Sequence, residues 1–274
     1  MAVIAAALLI AACGDGGGEG GASEAEGPLH VHGLGVNPED GALFIATHTG
    51  LFRSPEGASG AERVDEQFQD TMGFTVVGPD RFLGSGHPAP GEDRPPSLGL
   101  IESTDGGQSW EEVSLAGEAD FHVLRFAHDR VYAYNVLSGE LMLSDDGGES
   151  WTTRRPPAAT IDLAVDPAGQ ERIVASTEGG LTLSEDDGRR WRQVRGDVGL
   201  LAWPEPDRLY LINATGEVQV SSNEGRTWRR VGNIGGQPGA LIAEDAEELY
   251  AALGDGTVLG STDGGASWDV RSSP

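Results

Sequence analysis

The sequence predicts an all-β fold, a six-bladed β-propeller, on three observations. A motif recurs with a period near 40 residues, enough for four short strands. Short apolar runs alternate with turn residues, and the 274-residue chain holds 42 Gly and 15 Pro. Hydrophobic content of 38% is too high for disorder.

The repeat is the firmest of these. "STDGGQSW" (103–110), "SDDGGESW" (144–151), "SEDDGRRW" (184–191), "SSNEGRTW" (221–228) and "STDGGASW" (261–268) share Ser-x-Asp-x-Gly-x-x-Trp. The residues concerned are Ser103, Asp105, Gly107 and Trp110; Ser144, Asp146, Gly148 and Trp151; Ser184, Asp186, Gly188 and Trp191; Ser221, Asn223, Gly225 and Trp228; and Ser261, Asp263, Gly265 and Trp268. A sixth copy, "GLFRSPEG" (50–57), keeps Ser54 but has lost its Asp and Trp. Six copies make six blades, from about Leu29 to Ser272, each built from consecutive strands. The side chain of each Asp or Asn is expected to accept turn N–H groups, Gly to supply a positive φ, and Trp to pack between blades. An Asp or Asn needed five times over is expected to hold turns, not to catalyse.

N-terminal to this domain, an apolar run from Ala2 ends in "LLIAAC", and Cys13 is the one cysteine of the chain. Residues 1–13 resemble a bacterial lipoprotein signal with Ile10-Ala11-Ala12-Cys13 as the lipobox, Cys13 being the lipidated residue. No basic residue precedes the run, which puts the translation start further upstream. Residues 14–28 form a flexible acidic tether, leaving 29–274 as the propeller. The expected location is extracytoplasmic, lipid-anchored to the cell membrane, and the protein is expected to be a monomer. The 18 basic residues are all Arg and are outnumbered by 44 acidic ones, for a net charge of −26; phosphate repulsion excludes a nucleic-acid partner.

In a propeller the innermost strand of each blade, A, lines the channel, and strands B, C and D follow outward. The D–A and B–C connections share one face; the repeated C–D turns share the other. Aligning "HVHGLGV" (30–36), "DTMGFTV" (70–76), "DFHVLRF" (120–126) and "TIDLAVD" (160–166) puts His32, Met72, His122 and Asp162 in one tier. His30, Asp70, Asp120 and Thr160 fall two residues earlier, on the same side. Blades five and six offer only small or apolar groups such as Gly199, Leu200 and Gly239. His48 and His87 add from the B–C turns, and the second of these turns runs on as a twelve-residue Pro-rich loop (87–98), a candidate lid or partner-binding segment. His128 falls on an A–B turn, outside the group.

Imidazole, thioether and carboxylate together suit copper; His with Asp alone suits zinc. The predicted function is therefore ligand binding at a one-sided channel mouth, with a copper or zinc ion held by a subset of His30, His32, His48, Met72, His87 and His122. Asp70, Asp120 and Asp162 serve as ligands or orient imidazoles. Three alternatives stay open: a small organic ligand at the same residues, a glycoside hydrolase using Asp70, Asp120 and Asp162 as acid and base, and a scaffold docking an envelope protein. A purely structural polar lining is the plainest reading.

The five repeats are similar to the Asp-box, or bacterial neuraminidase repeat. "HVHGLG", "THTGLF", "DTMGF" and "SGHP" resemble the bacterial lipoprotein subgroup labelled glycosyl hydrolase or exo-α-sialidase-like. The superfamily includes sialidases, the sortilin ectodomain and photosystem II assembly factors. The resemblance implies a six-bladed propeller with the boxes on the face away from any active site. Sialidase chemistry would need an Arg triad, a Tyr nucleophile paired with Glu, and an Asp acid. Here His30 and His32 stand where the first Arg motif would begin, Arg172 opens a B strand on the wrong face, and Tyr132 and Tyr134 lie inside B strands. An enzyme of another glycosidase type is left open; sialidase activity is not expected.

Overall fold

A computed structural model describes residues 27–64 and 68–274. The predicted leader, Cys13 and nearly all of the tether lie outside these residues. The described chain forms six four-stranded antiparallel sheets, each of four strands consecutive in sequence, with no helix among them. This is the expected six-bladed propeller with no exchanged terminal strand. The A strands are Val31–Val36, Asp70–Gly78, Phe121–Ala127, Thr160–Val165, Gly199–Glu205 and Pro238–Ala243.

Apolar side chains from each pair of neighbouring blades form one core cluster, so six interfaces give six clusters. Five take a Trp from the repeated hairpin of the following blade: Trp110 between blades one and two, then Trp151, Trp191, Trp228 and Trp268. The hairpins are superimposable in their hydrogen bonds. The N–H of Gly107, Gly148, Gly188, Gly225 and Gly265 donates to the preceding Ser Oγ at 2.7–2.9 Å. The N–H of Ser109, Ser150, Arg190, Thr227 and Ser267 donates to Oδ1 of Asp105, Asp146, Asp186, Asn223 and Asp263 at 2.8–2.9 Å. Each of these glycines has φ between +73° and +101°. At Gly148 a Cβ would also lie 2.1 Å from a Leu100 methyl, so only glycine fits.

The sixth interface, between blades six and one, has no Trp, because the first blade carries the degenerate repeat. Phe52 and Tyr250 fill that cluster instead. Arg271 of the last strand grips the turn of blade one, donating to Ser54 Oγ at 2.9 Å, Ala58 O at 2.6 Å and Pro55 O at 2.9 Å. A parallel bridge joins Gly60 to Ser273 beside it. The ring is thus closed by a guanidinium where every other joint uses an indole.

Candidate functional site

Strand A is irregular in five of the six blades, at the same rung. The register against strand B slips at His32, Met72, His122, Ile161 and Gly239, each an extra residue bulged out of its ladder. A bulged residue has no cross-strand partner, and its side chain is re-aimed. His32, Met72, His122, Ile161 and Gly239 all line a cavity of about 180 Å³ at the end of the channel, together with Leu200 of blade five, whose strand has no bulge there.

This register corrects the expectation for blade four. Ile161 occupies the tier of His32, Met72 and His122, and Asp162 is one residue further on. One residue of slip reverses the direction of a strand side chain. Asp162 is 2% exposed. It accepts the N–H groups of Leu163 at 2.7 Å and Leu201 at 2.8 Å, and it pairs with Arg125. Burial raises its pKa, and Arg125 and the two N–H donors oppose that shift. With its oxygens so engaged, Asp162 fastens blades three, four and five together, and where it borders the cavity its carboxylate is already paired with Arg125 and two N–H groups.

The remaining residues come together. His48 Nδ1 lies 2.8 Å from Asp70 Oδ1, and His87 Nδ1 lies 3.3 Å from Asp70 Oδ2. The opposite nitrogen of His87 is 3.6 Å from Asp120 Oδ2, which His122 Nε2 meets at 3.1 Å. The His48 ring stands edge-on to His32 with centroids 4.2 Å apart, and the His30 ring is 5.5 Å from it. Five imidazoles and two carboxylates therefore form one chain across blades one to three. His30 precedes strand A and has φ of +54°, so it reaches the group from a left-handed corner and not from the strand as expected.

The chain is uneven in its environment. His32 Nε2 is buried and has no hydrogen-bond partner among the described residues; the same holds for Asp120 Oδ1. Burial, then the neighbouring His48, pushes the His32 pKa down to about 4, leaving a neutral imidazole at pH 7. His128 lies outside the group, its Nε2 2.8 Å from the carbonyl of Asp166. Tyr132 and Tyr134 are buried between blades three and four.

Two features were missed in the sequence. Arg125 lines both this cavity and a second one further along the channel, between Asp162 and the carbonyls of Leu163 and Leu124. A lone Arg inside the apolar run "HVLRF" was the available signal. The second feature is apolar. Among the described residues six large hydrophobic side chains are exposed: Leu29, Phe68, Val136, Leu137, Ile161 and Val270. The first five belong to the D–A or B–C connections or the start of a channel strand, hence to the histidine face; only Val270 does not. The 87–98 loop rises on that face too. It is tied down at its end by Leu98 N–H to Gly86 O at 2.8 Å and by Gly117 N–H to Ser97 O at 2.8 Å, while residues 90–93 are exposed.

Fold and site together define a six-bladed propeller with a polar, one-sided mouth on a face that also exposes apolar side chains. No family model matches the chain. In sequence it is similar to the photosystem II assembly lipoprotein Ycf48 of Synechococcus sp. (strain CC9902), at 28% identity over 191 residues, 62% of this chain. The match spans 55% of that relative's length. Among solved structures it resembles YCF48 bound to D1 peptide (TM-score 0.56, 17% identity, 89% of this chain and 81% of the other). It also resembles the GH74 xyloglucanase of Xanthomonas campestris (TM-score 0.59, 20% identity, 89% of this chain and 45% of the other). The two structural likenesses establish the β-propeller fold.

Proposed function

We propose that this chain is an Asp-box propeller that acts as a docking scaffold or assembly factor in the cell envelope, held at the membrane surface by a lipid on Cys13. Its working surface is the histidine face of blades one to four. The observation that carries the reading is the segregation of exposed apolar side chains: Leu29, Phe68, Val136, Leu137 and Ile161 on that face against Val270 elsewhere. Exposed apolar side chains gathered on one face offer a partner apolar area to cover.

The partner that fits is an exposed segment of another envelope protein, apolar and carrying Arg or Lys. Apolar residues would cover the five side chains, and basic ones would complement a chain of net charge −26. Likeness in sequence to an assembly lipoprotein supports this reading.

A photo-crosslinking amino acid in place of Leu137 or Ile161, introduced in the native cells, should give an adduct with one defined protein; the same group in place of Val270 should not. A synthetic peptide covering the crosslinked segment should bind the purified chain 1:1, and Leu137→Asp with Ile161→Asp should weaken it at least tenfold. Equal adducts from all three positions, or none from the mouth, would overturn the proposal.

A further inference from the structure

The geometry points to a divalent transition-metal site, of zinc or copper(II) type, formed by His32, His48 and Asp70. Each offers one donor atom, and the three donors lie within 4.8 Å of one another. Around an ion with bonds of about 2.0–2.2 Å, tetrahedral donors sit roughly 3.3–3.6 Å apart. Closing the set therefore asks for adjustments on the order of 1 Å, within reach of partly open side chains. Two imidazoles and a carboxylate are a borderline donor set, which selects zinc or copper(II) over a calcium- or magnesium-type ion.

His32 supplies an independent observation. Its Nε2 is buried and unpaired among the described residues, and a buried nitrogen without a partner is destabilising. A metal ion is a partner of the right chemistry, since it binds the lone pair of a neutral imidazole. The bulge in strand A fixes where this ring points, and the His48 ring packs against it at 4.2 Å.

Asp70 is held from its other side by His87, Nδ1 to Oδ2 at 3.3 Å, an outer contact of the kind that orients ligating carboxylates. The 2.8 Å contact between His48 Nδ1 and Asp70 Oδ1 is a hydrogen bond. Metal binding would exchange it for bonds from both groups to the ion, a neutral imidazole keeping its one proton on the ring nitrogen that does not face the metal. His30, 5.5 Å from His48, is the nearest candidate for a fourth ligand, with water as the other. This inference does not depend on the docking role.

The test is titration of the full chain with ZnCl₂ and with CuCl₂ against a chromophoric chelator. One ion per chain with Kd at or below about 1 μM is expected. His32→Ala and His48→Ala should each weaken binding at least tenfold, while His128→Ala should leave it unchanged. Electron paramagnetic resonance of the copper(II)-loaded wild-type protein should show nitrogen coupling from two imidazoles, which needs no variant to fold. Binding weaker than about 10 μM, ions spread over several sites, a spectrum without imidazole nitrogen, or affinity indifferent to both His32 and His48 would each overturn the assignment. Loss of peptide docking with metal uptake intact would sink the scaffold reading and leave this one standing.

Discussion

Replacing Arg271 by Ala tests how the ring is closed. Its guanidinium makes three hydrogen bonds of 2.6–2.9 Å to Ser54 Oγ, Ala58 O and Pro55 O, spanning the joint between last and first blades. A net contribution of about 1 kcal/mol per bond gives roughly 3 kcal/mol. Releasing a long side chain returns about 1 kcal/mol or more of rotamer entropy, so the expected loss is near 2 kcal/mol. For a domain of this size that is a fall of about 4–8 °C in Tm. The matched control is Arg230→Ala, an exposed guanidinium paired 3.3 Å from Glu217 within its own blade, where less than about 0.5 kcal/mol is expected. Urea denaturation followed by tryptophan fluorescence should show the midpoint of Arg271→Ala shifted with its slope unchanged. If the two variants lose the same stability, the joint is held by apolar packing alone and the reasoning fails.

Trp151→Ala, which removes an indole 5.2 Å from Phe121 between blades two and three, should cost about 3 kcal/mol or more by the same assay. Asp146→Ala removes the acceptor of Ser150 N–H and of two hydroxyls; calorimetry should show a lower Tm, and binding at the opposite face should be untouched. The hydrogen bonds to Asp146 and Asp263 hold their pKa near 2. Their contribution is therefore complete above about pH 4 and lost as pH falls toward 2, and the Asp146→Ala and Asp263→Ala proteins should lose less stability over that window than the wild type. Glu244 runs the other way. Burial first, then Glu248 and Asp245, raises its pKa to about 7, so its contribution is present below pH 4.5 and lost as pH rises through 7. Because the Glu244 side chain is exposed, Glu244→Gln should gain less than about 1 kcal/mol at pH 8 and nothing at pH 4.

The architecture was legible because the repeat states it directly: Ser, Asp or Asn, Gly and Trp at fixed offsets, five times at a period near 40 with a sixth, degenerate copy ahead of them, leave little else to build. The grouping of His30, His32, His48, His87 and His122 followed from strand order alone. What the sequence hid was the exact rung. Asp162 and Ile161 are adjacent, and alternation cannot say which of them faces the channel once a bulge has inserted one residue. Pattern reading also favoured the polar member, whereas the fold spends Asp162 on backbone N–H groups and Arg125. The apolar rim was hidden for a related reason. Val136 and Leu137 continue the run "VYAYNVL", which reads as buried strand, and only the end of strand B at Asn135 turns them out into solvent.

The shared bulge also bears on how such a ring can change over time. A residue outside the ladder can be exchanged without breaking strand pairing, so the inner rim resembles a lock whose pins are cut separately. His in two wedges, Met in a third, Ile in a fourth and Gly in the sixth are five settings of that lock. New specificities are reachable by single substitutions at His32, Met72, His122 and Ile161, whereas at Gly239 a Cβ would lie 2.8 Å from the Val31 carbonyl oxygen and that setting is fixed.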